Sequence, residues 1–315
     1  MTTLNSTASA QPQHSTYALW KRALPYLLIL PTLVFVLMFT LLPATRTVID
    51  STYQPGRRAS MPSEFVGIEN YQDLFDDTHH IGSRFTRVLT NTLLFAAGTV
   101  IFSVPLALGM ALLLNRQLRY MGFWRFAFFY PSLLPLLGAA SIWAFLYSDS
   151  IGLFNRVLST FGVDTVNWLG DPNRVLPSLM IFNIWKQSGY YMIFYLAGLQ
   201  SIPKDIYEAA RLDGANAWQQ LLSITLPLLR RTTLFVLVVA FTFAFQTVEQ
   251  LQAMNQGNPA DRGNLLLYFI FQNIGERRNW GYINAMTVVL VAILLVFTVG
   301  NFLFFERGGR EDDRS

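Results

Sequence analysis

No cysteine occurs in the 315 residues, which excludes disulfides, thiolate metal sites and thiol nucleophiles. Histidine is nearly as scarce. His79 and His80 are adjacent in a polar segment with only His14 elsewhere, a pattern that reads as solvated rather than as a zinc site. Charge is the third shortage: Lys, Arg, Asp and Glu make up 13% of the chain, where soluble domains carry about 25%. The net charge of +4 is small and its basic residues are scattered, which argues against nucleic acid as a partner. No Gly-x-x-x-x-Gly-Lys-Ser/Thr loop is present to cradle the phosphates of ATP. Neither a Ser-His-Asp set nor a metal-ligand spacing emerges, so no catalytic residue and no metal site is assigned.

What the chain has in abundance is apolar surface, 52% hydrophobic residues and 15% aromatic. Crossing the roughly 30 Å hydrocarbon layer takes about 20 mostly apolar residues in a helix. Six runs meet that length: 24–43, 88–114, 126–147, 175–199, 232–254 and 282–305. The first follows Lys21 and Arg22, but it exceeds a signal-peptide core and no small-x-small cleavage pattern closes it, so it reads as a retained span. Pro131 and Pro135 are expected to bend the third run. The fold class is therefore an all-α integral membrane protein with six transmembrane helices in a domain at 24–305, flanked by polar tails at 1–23 and 306–315. An even number of spans puts both tails on one side. The short loop "NRQLRYMGFWR" carries Arg116, Arg119 and Arg125 and no acid, which places that side, and with it the segment 200–231, in the cytoplasm.

That segment contains "EAARLDGANAWQQLLSITLP", Glu208 to Pro227, too polar to lie in lipid. Ser201 is expected to cap a helix whose first turn holds Pro203 and Asp205. Gly214 offers a left-handed stop, and Ala215 to Leu226 form a second helix with Trp218, Leu221, Leu222 and Thr225 on one face. Ala209, Ala210, Gly214 and Ala215 keep the turn slim, while Glu208, Arg211 and Asp213 offer directional charge. Such a helix-turn-helix either docks into a groove of another protein or rests on lipid headgroups, and the residues alone leave both open.

The stretch resembles the EAA-type motif of permease subunits in binding-protein-dependent ABC importers, with Glu208, Ala209, Ala210, Gly214, Ile224, Leu226 and Pro227 at the motif positions. "FVGIENYQDLF", "NTLLFAAGTVIFSVPLALGMALLLNR", "YPSLLPLLGAASIWAFLYSDSIGLFN" and "LAGLQSIPKDIYEAARLDGA" extend the similarity through most of the chain and resemble the carbohydrate-uptake branch. Leu221 stands where that branch often has Phe, and remains apolar. The resemblance implies that the loop between the fourth and fifth spans is a cytoplasmic coupling element seated on an ATPase, with Asp213 and Ala215 completing its contact set. It implies a second homologous permease, two cytoplasmic ATPase subunits and an extracytoplasmic substrate-binding protein as partners in a bacterial-type inner membrane. It also implies no cofactor on this chain, ATP and Mg being held by the ATPase, and alternating access for a sugar or related polyol.

Polar side chains within spans are expensive and ask for a partner or a water-filled cavity. Asn183, Gln187 and Tyr190 share one face of the fourth run, and Thr242, Gln246 and Glu249 repeat that spacing in the fifth. Two such stripes with aromatic neighbours suit a sugar, whose hydroxyls meet amides and carboxylates and whose C–H patches meet rings. The competing reading is that these residues bond helices to one another, with Lys186 snorkelling or pairing with Glu249. Asn284 in the sixth run either joins the site or packs. A glycerol phosphate ester met by Lys186 is the alternative substrate, weakened by the lack of an Arg pair in the spans. A self-sufficient secondary transporter or channel is the alternative class, in which the polar helix-turn-helix has no role.

Overall fold

The computed structural model describes residues 14–56, 61–116, 119–276 and 279–312, with side chains described between 24 and 303. Residues 1–13 and 313–315 of the expected tails lie outside the described residues. The chain opens with α1 (His14–Val36), a five-residue π turn (Leu37–Leu41) and α2 (Leu42–Asp50). A two-stranded antiparallel hairpin, β1 (Tyr53–Gln54) and β2 (Glu64–Phe65), leads to α3 (Glu69–Phe75) and the long α4 (Gly82–Leu114). Next come α5 (Met121–Leu133), α6 (Leu136–Leu146), α7 (Leu153–Thr160) and α8 (Val175–Gln200). The segment after α8 holds α9 (Lys204–Leu212), α10 (Ala217–Gln220), a second π turn (Leu221–Thr225) and α11 (Leu226–Leu228). The chain ends through α12 (Arg230–Phe245), α13 (Glu249–Met254), α14 (Leu266–Asn273) and α15 (Trp280–Asp312).

Among the described residues, Leu24–Asp50, Gly82–Leu114 and Trp280–Leu303 are long and apolar enough to cross a bilayer. Two bent pairs reach that length together: α5 with α6 at 95°, and the helix Ala217–Leu228 with α12 at 70°. At 26 residues, or about 39 Å, α8 is also long enough, but Asn183, Lys186, Gln187 and Ser188 make it too polar to join that set.

The third apolar run is therefore not one helix. Pro135 lacks a donor and forces Leu134 into an extended conformation (φ −65°, ψ 140°), so α5 stops and α6 departs at a new angle. The fifth run is broken as well, at 246–248. There the Thr247 hydroxyl bonds back to the carbonyls of Phe243 and Ala244, competing with the amides that would prolong α12. Both π turns lie just before a proline, Pro43 and Pro227. A proline ring clashes with the carbonyl four residues back, and a widened turn moves that carbonyl aside.

The helix α8 is the axis of the assembly, lying along α4 and contacting α5 and α12. Two cores surround it. One gathers Phe85, Phe95, Phe182, Phe245 and Phe269 around Trp143, whose ring is 5.1–5.5 Å from those of Tyr147, Phe154, Phe182 and Trp185. The other, nearer the α9 end, holds Ala107, Ala111, Leu114, Tyr191, Tyr195 and Leu229. The helical stretch Leu24–Asp50, in contrast, contributes no buried residue to either core and touches the rest of the bundle chiefly where α2 meets α15.

Candidate functional site

The polar segment after α8 folds as a tight helix-turn-helix. Ser201 does not start it: this residue closes α8, its hydroxyl bonding back to Gly198 O at 2.7 Å, and Pro203 is the N-cap of α9. Asp205 sits in the first turn of α9 and Arg211 in the last, both matched to the helix dipole. The turn is a Schellman motif. Ala215 N donates to Ala210 O at 2.9 Å and Gly214 N to Arg211 O at 3.1 Å, with Gly214 at φ +80°. The second helix begins at Ala217, two residues later than expected, because Asn216 and Gln219 form a reciprocal capping box: Gln219 N donates to Asn216 Oδ1 at 2.9 Å and Asn216 N to Gln219 Oε1 at 2.8 Å.

Cross-bonds then fix the two helices against each other. The hydroxyls of Tyr207 and Thr225 are 3.0 Å apart, and Gln220 Nε2 donates to Ala215 O at 2.9 Å. With its backbone satisfied from within, the tip is free to face outward. Glu208, Ala209, Asp213 and Gly214 are exposed, as are Leu212 (90%) and Trp218 (66%), while Ala210, Ala215, Ile224 and Leu226 are half-buried and Pro227 is exposed. A Cβ at Gly214 would meet no atom of the chain, so the glycine is required by its positive φ alone.

The polar residues of the spans separate into two groups. Asn183 and Lys186 are buried and have partners within the chain. Lys186 Nζ donates to Ser132 O at 2.9 Å, capping a carbonyl freed at the end of α5, and does not pair with Glu249. Gln250, fully buried, bonds Leu179 O at 2.8 Å and accepts from Asn183 Nδ2 at 3.5 Å, pinning α13 to α8. Asn284 is also buried and returns its amide to Trp280 O at 2.9 Å. Gln246 and Glu249, in contrast, are exposed, and Gln187 and Tyr190 are half-buried.

The break at 246–248 dissolves the expected Thr242, Gln246, Glu249 stripe as a face of one helix, since Gln246 caps α12 and Glu249 opens α13. Tyr190 packs edge-on against Phe194 (5.1 Å) and near Phe243 (5.8 Å). The structural role of Gln250 was hidden in the sequence, because its partner is a backbone carbonyl 71 residues away.

Beyond α13 the chain is held by a separate polar knot. Arg84 grips Asp261 with two bonds, at 2.7 and 3.2 Å, and the Asn91 amide donates to the carbonyls of Asp261, Arg262 and Asn264. Burial pushes the Asp261 carboxyl up, but hydrogen bonds from Arg84 and Asn264 outweigh it and hold the group below its ordinary value.

Comparison with known proteins places this architecture. Over residues 15–306 the sequence matches the family described as "Binding-protein-dependent transport system inner membrane component". It is 34% identical over 283 residues to the trehalose/maltose transport system permease protein MalF of Thermococcus litoralis, covering 88% of this chain and 91% of that one. It is 31% identical over 289 residues to the sn-glycerol-3-phosphate transport system permease protein UgpA of Agrobacterium fabrum, covering 91% and 96%. A bacterial ABC transporter involved in the import of the acidic polysaccharide alginate has a chain of the same fold, with a TM-score of 0.78 at 24% identity over 92% of this chain and 98% of that one. The chain belongs to the inner-membrane component family of binding-protein-dependent ABC importers and is a transport permease of that family.

Proposed function

We propose that this permease imports a sugar or related polyol by alternating access, with the helix-turn-helix at 204–228 as its mechanical link to an ATPase. One observation carries the reading: the turn around Gly214 is closed by a Schellman motif and a capping box, yet the Glu208 and Asp213 carboxylates bond to no described residue and Leu212 and Trp218 stay exposed. A rigid exposed knob transmits displacement, where a soft one would absorb it. Glu208, Ala209, Ala210, Asp213, Gly214, Ala215, Ile224, Leu226 and Pro227 form that knob and its support.

In this reading the chain crosses the membrane six times, counting α8, the bent pair of α5 and α6, and the broken run of α12 and α13 as one crossing each, and keeps both termini in the cytoplasm. ATP and Mg are held by two ATPase subunits, and a second, homologous permease faces this one across the substrate path. An extracytoplasmic binding protein delivers the sugar. ATP favours the outward-open arrangement only as far as it binds the closed ATPase dimer more tightly than the open one. The chain itself carries no catalytic group.

Of the polar residues, Gln187, Tyr190, Gln246 and Glu249 are placed to meet substrate, because their side chains remain accessible. Asn183, Lys186 and Asn284 act in support. The relatives named for trehalose/maltose and for sn-glycerol-3-phosphate allow both a neutral sugar and a phosphate ester. The engagement of Lys186 with Ser132 O favours the sugar, since it ties the spanning cation assigned to a phosphate to the end of α5.

Mild-detergent affinity purification of the chain, followed by mass spectrometry, tests the assembly. A second permease and an ATPase are expected, and a chain recovered alone through several detergents would revive the self-sufficient transporter. Competition on the purified binding protein tests the substrate. Displacement of a bound probe by phosphorylated compounds alone would overturn the sugar assignment.

A further inference from the structure

Two cavities meet at the end of α4, and both include Leu112 and Arg116 in their walls. The first, of about 850 Å³, lies between that helix end and the helix-turn-helix. Its polar wall carries Arg116, Lys204 and Arg211 against a single carboxylate, Glu208, and Trp218 stands at its side. Arg116 and Lys204 make no side-chain hydrogen bond or ion pair with any described residue, and Arg211 spends only its Nε, on Tyr207 O at 3.2 Å. The second, of about 490 Å³, runs from Arg116 back along α4 to Pro105 and is otherwise lined by apolar residues. Gly109 lies in its floor, and a Cβ there would meet nothing within 4 Å.

The pairing of these cavities is chemically specific. Three cations facing one acid select an anion, and guanidinium groups suit phosphate oxygens in particular. The apolar groove continues from the same arginine for eleven residues, about 16 Å of helix, close to half the roughly 30 Å hydrocarbon layer. That is the depth of one leaflet. Free phosphate would use the cations and leave the groove unexplained.

We infer that the groove between the end of α4 and the helix-turn-helix binds an anionic phospholipid, with its phosphate among Arg116, Lys204 and Arg211 and an acyl chain along Pro105, Gly109 and Leu113. Basic pockets between helices at the cytoplasmic membrane surface hold such headgroups, and Trp218 has the amphipathic ring suited to that depth. Both helices of the helix-turn-helix line the site, through Tyr207 and Arg211 on one and Trp218 and Thr225 on the other, so an occupying lipid wedges the helix-turn-helix against α4.

The test uses the assembled complex in nanodiscs of equal parts phosphatidylglycerol and phosphatidylcholine, transferred to mild detergent and weighed by native mass spectrometry. Retention of phosphatidylglycerol over phosphatidylcholine is expected for the unmodified chain. Arg116→Gln is expected to lower that retention about fivefold, the effect of one cation at the membrane surface. Gly109→Phe, which fills open space in the acyl groove, is expected to lower retention of phosphatidylglycerol while leaving complex assembly unchanged. Equal retention of the two lipids, or unchanged retention in both variants, overturns the inference. If excess inorganic phosphate displaces phosphatidylglycerol from the chain while Gly109→Phe has no effect, the site is one for a free phosphate and the lipid assignment fails. If Gly109→Cys cross-links to an accompanying permease instead of shielding lipid, the groove is a protein contact and the inference fails as well.

Discussion

A single methyl group tests how α5 and α8 are held together. Gly189 on α8 faces the carbonyl of Phe128, and a Cβ built there would fall inside that oxygen and lie 3.1 Å from Phe129 Cα. On a free helix Gly189→Ala would stabilise by about 1 kcal/mol. Here the α5 backbone must retreat by about 1–2 Å to restore an ordinary contact, and overpacking of this kind costs about 1–3 kcal/mol. The same retreat stretches the bond from Lys186 to Ser132 O, three residues away on α8, and hydrogen bonds to charged groups contribute about 1.5–3 kcal/mol. The net expectation is a loss of about 2 kcal/mol, opposite in sign to the helix-propensity effect. Thermal unfolding of the purified protein in one detergent, followed by tryptophan fluorescence, reads it. Lys186→Met should lower the midpoint too, and the double variant should lose at least about 0.5 kcal/mol less than the sum, because both changes strike one contact. A Gly189→Ala protein as stable as the parent would refute the close crossing, and strict additivity would refute the coupling.

Four further outcomes follow from the geometry. Gly214→Ala should cost about 1–2 kcal/mol through its left-handed backbone alone, while Gly214→Trp should abolish uptake with membrane insertion intact; normal uptake in the tryptophan variant would sink the docking reading. Asn216→Ala removes the capping box and should loosen the second helix by about 1 kcal/mol, seen as faster amide exchange over 217–220, whereas unchanged exchange would mean the box is ornamental. Gln246→Ala should reduce transport but spare assembly, and unaltered affinity for substrate in that variant would remove it from the site. For Asp261 the folded pKa lies below its ordinary 3.8, so its contribution is complete above that pH and is lost as pH falls through the folded value. Amide exchange at 261–264 should therefore accelerate in acid, and Asp261→Asn should show the acid behaviour at neutral pH.

Much of the architecture was readable from apolar run length, because a bilayer imposes one number on every crossing. Run length says nothing about continuity. The breaks after α5 and α12 come from local chemistry inside an apolar run: Pro135 withholding a donor in one case and Thr247 taking carbonyls in the other. The Pro135 break was signalled by residue type. The Thr247 break was not, since threonine bonds back within many uninterrupted helices, as Thr242 does to Val238 O here. At the helix-turn-helix, Gly214 was legible because only glycine adopts its φ without strain, whereas the N-caps were misplaced. Serine before proline looks like a cap, yet Ser201 is held by the end of α8 and the capping role passes to Pro203 and Asn216.

The polarity of α8 was the most misleading signal, and its resolution bears on where substrate meets this chain. A helix with Asn183, Lys186, Gln187 and Ser188 at its centre suggests a lined cavity if lipid is taken as its surroundings. Its surroundings are mostly protein: α4 along one side, α5 crossing at Gly189 and α12 beside them. In that setting a polar group holds a neighbouring helix by bonding a carbonyl that a break has freed, as Lys186 does at Ser132, or that another side chain can share, as Gln250 does at Leu179. These bonds account for buried polar side chains without a substrate. In the function proposed above, substrate contact falls to the polar residues that the fold leaves accessible, Gln187, Tyr190, Gln246 and Glu249, the last two of which flank the break in the fifth run. The break turns what would have been one stripe into two helix ends, at which Gln246 and Glu249 are exposed.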